Sequence, residues 1–189
     1  MAKILARVAP GLVVLVGPPA SGKTSFVRAL IARRQIDRDA VVSSDEIRAE
    51  LVGTPPTEAA DARIFEERDR RIGARLAAGQ TTIAESTNVT PQARTRLITI
   101  ARRFDAPVTM LRFTPDLGVL LQQHAERDRT DITAADVRAY AAVMVRHAGA
   151  DRLRSEGADA VHDVPGRPQG VTPAQAAACF SFAPFFGTA

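Results

Sequence analysis

Apolar and polar positions alternate along the chain in blocks of two kinds. Short, mostly apolar and often β-branched runs occur at Leu12–Val16, Ala40–Ser43, Thr81–Ala84, Val108–Phe113 and Asp159–His162. Between them lie longer segments near Lys23–Arg34, Asp45–Val52, Glu58–Ala78, Pro91–Phe104, Asp116–Glu126 and Ala134–Arg154, where apolar residues return every three or four positions. The first kind predicts buried strands and the second amphipathic helices. Their alternation predicts an α/β fold with a parallel sheet, because a helix must carry the chain back before the next parallel strand can start. Thr90-Pro91 reads as a helix start, a capping hydroxyl followed by proline at the first helical position, and Thr133 opens the last long helix in a similar way. Gly53–Thr57 and Asp128–Asp131 read as connections. After His162 the pattern weakens into turn residues and then Phe180, Phe182, Phe185 and Phe186. The expected division is one domain over 1–165 and a tail over 166–189 that packs on that domain or on another subunit, the latter making a homo-oligomer.

Composition narrows the classes. A chain of 189 residues with 46% apolar and 24% charged residues is long enough to bury its own core. Cys179 is the single cysteine, which excludes an intrachain disulfide and a cysteine-based zinc site and suits a reducing compartment. The run Leu12–Val16 is too short for a leader's apolar core, and no segment approaches the ~20 apolar residues of a membrane helix, so a soluble, cytoplasmic protein is expected. The net charge of +4 permits a nucleic-acid partner without requiring one. Lysine occurs only at Lys3 and Lys23; every other basic residue is arginine, whose forked donors suit phosphate.

One short stretch carries specific chemistry. Gly17-Pro18-Pro19-Ala20-Ser21-Gly22-Lys23-Thr24 matches G-x-x-x-x-G-K-[ST], with an apolar strand before it and a helix opening at Lys23, Thr24 and Ser25. Glycines let backbone amides close on phosphate oxygens, Lys23 reaches the β- and γ-phosphates, Thr24 offers a hydroxyl to Mg²⁺, and the helix N-terminus adds a positive dipole. ATP with Mg²⁺ is the expected cofactor pair, and the phosphoryl acceptor stays open.

A second stretch, "VVSSDEIRAEL", follows the second strand, and Glu85-Ser86-Thr87-Asn88 follows the third. In a parallel sheet both emerge on the same edge as the phosphate loop, where ligands gather. Asp45 is then placed to take or orient the proton of an acceptor hydroxyl, and Arg48 to grip an anion on that acceptor. The plainer alternative is a helix-start carboxylate paired with Arg48 three residues on. His124, His147 and His162 have no metal-ligand spacing.

With "LVVLVGPPASGKTSF", "VSSDEIRAEL" and "AESTNVTPQARTRLITIARRFDAPVTMLRF" in hand, the chain from about Leu12 to His162 resembles the P-loop polynucleotide 5′-hydroxyl kinases, kinases related to zeta toxin and chloramphenicol phosphotransferase. The resemblance implies a doubly wound five-stranded parallel sheet flanked by helices, with a small helical lid over about 122–140. It implies that Lys23 and Thr24 hold ATP and Mg²⁺, that Asp45 activates a 5′-hydroxyl of DNA or RNA, and that Arg48 contacts the neighbouring phosphate. Arg127, with Arg129 as the alternative, is the expected lid arginine on the transferring phosphoryl group. Thr87, Asn88 and Arg94 match the family's acceptor-side pattern, and Glu85 stands where relatives often carry aspartate, polarising a magnesium water. A small-molecule kinase of the same superfamily and a non-catalytic ATP-binding switch are the competing expectations.

Overall fold

The computed structural model describes residues 6–51, 58–127 and 131–182. Its centre is β2 (Leu12–Val16), buried at every position. That strand is flanked on one side by β4 (Thr82–Glu85) and β3 (Val41–Ser43), and on the other by β5 (Val108–Arg112) and β6 (Ala160–Asp163). All four pairings are parallel, in the order β3-β4-β2-β5-β6, so the expected five-stranded parallel sheet is present. Strands covered on both faces read as continuous apolar runs, which is why the pattern is legible here.

Helices cover both faces. Helix α1 (Lys23–Ala32) follows β2 and buries Phe26, Val27 and Leu30 against Val13, Leu15 and Leu111. On the other face α3 (Glu58–Ala77), α4 (Pro91–Arg102) and α6 (Ala134–His147) pack Ile72, Leu97 and Met144 with Val14 and Met110. Short α2 (Ser44–Glu50) continues β3, and α5 (Leu117–Ala125) follows β5 with Asp116 as its cap, its carboxylate accepting from the Val119 amide at 2.9 Å. Thr90 and Thr133 cap α4 and α6 as their sequence predicts. None of the described helices is long and apolar enough to cross a membrane.

Two expectations need correction. The predicted helix Ala134–Arg154 breaks at Ala148-Gly149 and resumes as α7 (Ala150–Glu156). The carbonyls released at the break are taken by arginines: Arg94 donates to His147 O (2.6 Å) and Arg112 to Ala148 O (3.0 Å). Secondly, residues 166–182 form more structure than a tail. Helix α8 (Pro173–Ala177) lies against α1, and β7 (Phe180–Phe182) pairs in parallel with β1 (Ala6–Val8) in a separate two-stranded sheet. Phe180 meets Phe26 edge to face at 5.5 Å, and Phe26 meets Phe113 in the same way. Phe180 and Phe182 are thus committed to their own chain, while Phe185 and Phe186 lie outside the described residues.

Candidate active site

The phosphate loop is set by backbone geometry. Gly17 donates to Thr87 O at 2.9 Å, tying the loop's first residue to the segment after β4. A Cβ on Gly17 would lie 2.7 Å from Ser21 Oγ and 2.8 Å from the Phe113 Cβ, so only glycine fits. Ala20 and Gly22 hold φ of 63° and 96°, left-handed values that curl the loop around its own amides. Helix α1 starts with no side-chain cap and no acid in its first turn, which leaves its N-terminal amides and dipole for an anion. Lys23 is almost wholly buried, and its ammonium donates to Gly17 O (2.8 Å), Pro18 O (2.7 Å) and Ser21 Oγ (3.2 Å). Phosphate oxygens entering the loop compete for those donors with a stronger, charged acceptor.

Beside it, the Thr24 hydroxyl donates to Glu85 Oε1 at 2.7 Å. Burial pushes the Glu85 carboxyl above its usual range; the Thr24 hydrogen bond and Lys23 oppose this, and the charges of Glu46 and Asp45 add to it. A raised carboxyl favours the fold while protonated, so its contribution is full below the ordinary glutamate range and is lost as pH rises through the elevated value. Glu85→Gln therefore removes that loss: its melting temperature exceeds the native protein's at neutral pH and converges with it in acid, as a pair of pH-dependent thermal scans would record. Among the described residues no group of three or more His, Cys, Asp or Glu gathers to hold a metal. The Thr24–Glu85 oxygen pair nevertheless fits Mg²⁺, a hard cation that takes one or two protein oxygens and completes its shell with phosphates and water.

Ser43 stands level with Glu85 in the β3–β4 pair, so Asp45, two residues on at the exposed start of α2, rises beside the cradle. Ser43 caps α2 by accepting from the Glu46 amide at 3.5 Å. The local Asp45–Arg48 ion pair does not form: Arg48 reaches Asp61 of α3 instead, at 2.7 Å with both side chains about half exposed. That pair leaves Arg48 accessible but already partly neutralised.

The third-strand segment divides. Thr87 is half-buried and supplies the carbonyl that anchors Gly17. Asn88 and Arg94, expected on the acceptor side, are structural. Asn88 is buried at a φ of 48°, its amide donating to Leu15 O (2.8 Å) and Ala84 O (3.3 Å), which clamps the ends of β2 and β4. Arg94 is 0% exposed and forms a two-armed pair with Glu156 (2.7 and 2.8 Å) while also donating to Asn88 O and His147 O. Each of these guanidinium contacts is thus internal to the fold.

On the α1 side of the loop a cavity of about 310 Å³ is bounded by Ser21, Gly22 and Ser25, by Gln123 and Arg127 at the end of α5, and by Arg167. Arg127 is exposed in the turn after α5 and Arg129 lies outside the described residues. Arg167 reaches across to Glu126 at 2.9 Å, joining the end of α5 to the segment after β6. Gln123 Oε1 is a buried acceptor with no partner, an energetic defect that a donor on a bound base would relieve. Neither Gln123 nor Arg167 is visible as a site residue in the sequence, because each reaches the cavity only through the docking of α5 against residues 164–171.

A family model described as an AAA domain matches residues 12–147. A comparison with curated proteins finds no match. Among solved structures, a chain of the Pnkp1/Rnl/Hen1 RNA repair complex superposes with a TM-score of 0.63 at 20% identity, over 76% of this chain and 45% of that one. This chain therefore spans less than half the length of that relative. A sugar kinase from Janibacter sp. HTCC2649 superposes with a TM-score of 0.62 at 18% identity, over 89% and 90% of the two chains. Kti12 of Chaetomium thermophilum in complex with ADP-AlF3 gives 0.52 at 18%, over 70% and 79%. The likenesses share one architecture across different named proteins, and the match over residues 12–147, with the phosphate loop inside it, shows that the chain belongs to the AAA-domain family.

Proposed function

We propose that this chain is an ATP-dependent polynucleotide 5′-hydroxyl kinase, moving the γ-phosphoryl of ATP to the 5′-OH of a DNA or RNA end. The observation that carries the reading is the juxtaposition, on one sheet edge, of the Lys23 cradle, the Thr24–Glu85 pair and Asp45. The loop amides and Lys23 bind the β- and γ-phosphates, and Arg127 offers charge to the phosphoryl group in flight. Asp45 accepts the hydroxyl proton as the alcohol oxygen bonds to the γ-phosphorus and the bond to the bridging β–γ oxygen breaks, releasing ADP. Thr24, with Glu85 acting through a polarised water, would hold Mg²⁺, which would supply charge neutralisation to the phosphates. Arg48 steadies the phosphate next to the reacting hydroxyl by exchanging its Asp61 partner for it.

The test is transfer of radiolabelled γ-phosphate to 5′-OH oligonucleotides beside a panel of small alcohols, sugars included. Label on oligonucleotide ends is the expected result; label on a small alcohol alone overturns the acceptor assignment. Lys23→Ala lowers kcat by about 10²–10³-fold, the scale of removing one preorganised charge donor. Retained turnover in that variant would show that the loop does not bind reacting phosphates.

A further inference from the structure

A second recess meets the phosphate loop from the side opposite the α1 cavity. It is a groove of about 740 Å³ between α5 and α6, reaching the loop at Pro18 and walled by Leu117, Leu120, Ala142 and Val145. Its apolar surface is unusually open. Val145 is 86% exposed and Leu117 42%, although both belong to residue types that normally turn inward. The same wall carries Arg138 and Arg146. Among the described residues neither has an acidic partner, whereas Arg112 at the groove's base is held by Asp163 at 2.6 Å. Eight residues of helix separate the two free guanidinium groups' positions, about 12 Å along the axis.

These features specify an occupant. Apolar walls accept a flat or greasy body, the contact at Pro18 brings it to the edge of the γ-phosphate cradle, and two cations spaced along one helix complement a chain of anions rather than one carboxylate. We infer that the groove receives the 5′-terminal nucleosides of the acceptor strand, with a base on the Leu117–Val145 wall and backbone phosphates on Arg138 and Arg146. The assignment rests on the polynucleotide reading and deepens it. It also supplies acceptor-side cations in addition to Arg48, where Arg94 is enclosed by Glu156. Single-strand sites combine an electropositive track with surfaces on which bases lie, and every phosphate contact adds to the salt dependence.

The experiment uses the full chain. Binding of a fluorescein-labelled 5′-OH decanucleotide is followed by anisotropy across a salt series, and phosphoryl transfer to the same strand, unlabelled, to a nucleoside 3′-monophosphate and to aromatic hydroxy-carboxylic acids is followed in parallel. Arg138→Gln combined with Arg146→Gln is expected to weaken decanucleotide binding at least tenfold, to flatten the slope of log affinity against log salt by about 1–2, and to raise the decanucleotide KM while the KM for ATP is unchanged. Val145→Asp weakens binding further by placing a carboxylate against the strand. Arg33→Gln combined with Arg103→Gln, at the C-terminal ends of α1 and α4, removes the same two charges away from the groove and changes neither slope nor KM. Decanucleotide transfer by the native chain with an unaltered slope and KM in the arginine double variant overturns the groove assignment while the polynucleotide reading stands. Absence of transfer to any nucleotide, with Arg138-dependent transfer to a hydroxy acid, overturns both.

Discussion

Asp45→Ala reduces phosphoryl transfer by about 10²–10⁴-fold, the range associated with a positioned proton acceptor, and leaves ATP affinity within twofold of the native value. The second half of that expectation is structural. Asp45 lies at the start of α2, outside the loop that Lys23 organises, and its side chain fills no core position. Asp45→Asn separates proton transfer from placement: it keeps the shape and hydrogen-bonding reach and removes the basicity, so its kcat falls with the alanine variant's. Nucleotide binding by calorimetry and single-turnover transfer to a 5′-OH strand measure the two quantities independently. Native-like turnover in both variants would remove Asp45 from the chemistry.

The largest effect on stability is expected at Arg94. Burial pushes the Glu156 carboxyl up, but hydrogen bonds and charge from Arg94, with help from Arg152, hold it below the usual carboxylate range. Removing Arg94 leaves Glu156, only 14% exposed at its side chain, without its main counter-charge and frees the His147 and Asn88 carbonyls as well. Breaking one side of a buried pair costs about 3–5 kcal/mol. Arg94→Ala should therefore lose that much in urea unfolding, with an unchanged dependence on denaturant. Arg94→Ala with Glu156→Ala recovers part of the loss, because no buried charge is then stranded. If instead Arg94→Ala unfolds like the native protein and raises an acceptor KM, Arg94 belongs to the substrate after all.

Much of this architecture is legible in the sequence, and what is legible has a common cause. Leu12–Val16 is apolar on both faces, and Val108–Leu111 is so but for the buried Thr109, because helices cover both, so their runs stand out without any partner in view. The phosphate loop is legible for a different reason: its glycines and Lys23-Thr24 fall in one contiguous stretch, and Gly22 at a φ of 96° and the approach of Gly17 to Ser21 are constraints internal to it. The rest depends on distant partners. Strands β1 and β7 are three residues each, too short for a period, and exist because they pair with one another across the chain. The break at Ala148-Gly149 interrupts an otherwise helical pattern where Arg94 and Arg112 take the freed carbonyls. Arg94 itself shows the limit for site residues: an arginine after a helix-opening Thr-Pro reads equally well as substrate-binding or structural until Glu156, 62 positions away, is seen to close on it. Gln123 carries no signature at all, since a glutamine near the end of a helix matters only through the cavity it faces.

The pairing of β1 with β7 sets an order on biosynthesis. Helix α1 cannot have its outer apolar face covered by α8 and Phe180 until residues 173–182 have left the ribosome, well after the helix itself has emerged. Joining segments this far apart is entropically late, and the nascent sheet must stand without it in the meantime. A purified chain truncated before Pro173 would thus lack the Phe180 ring that covers Phe26 while keeping all five strands of the larger sheet.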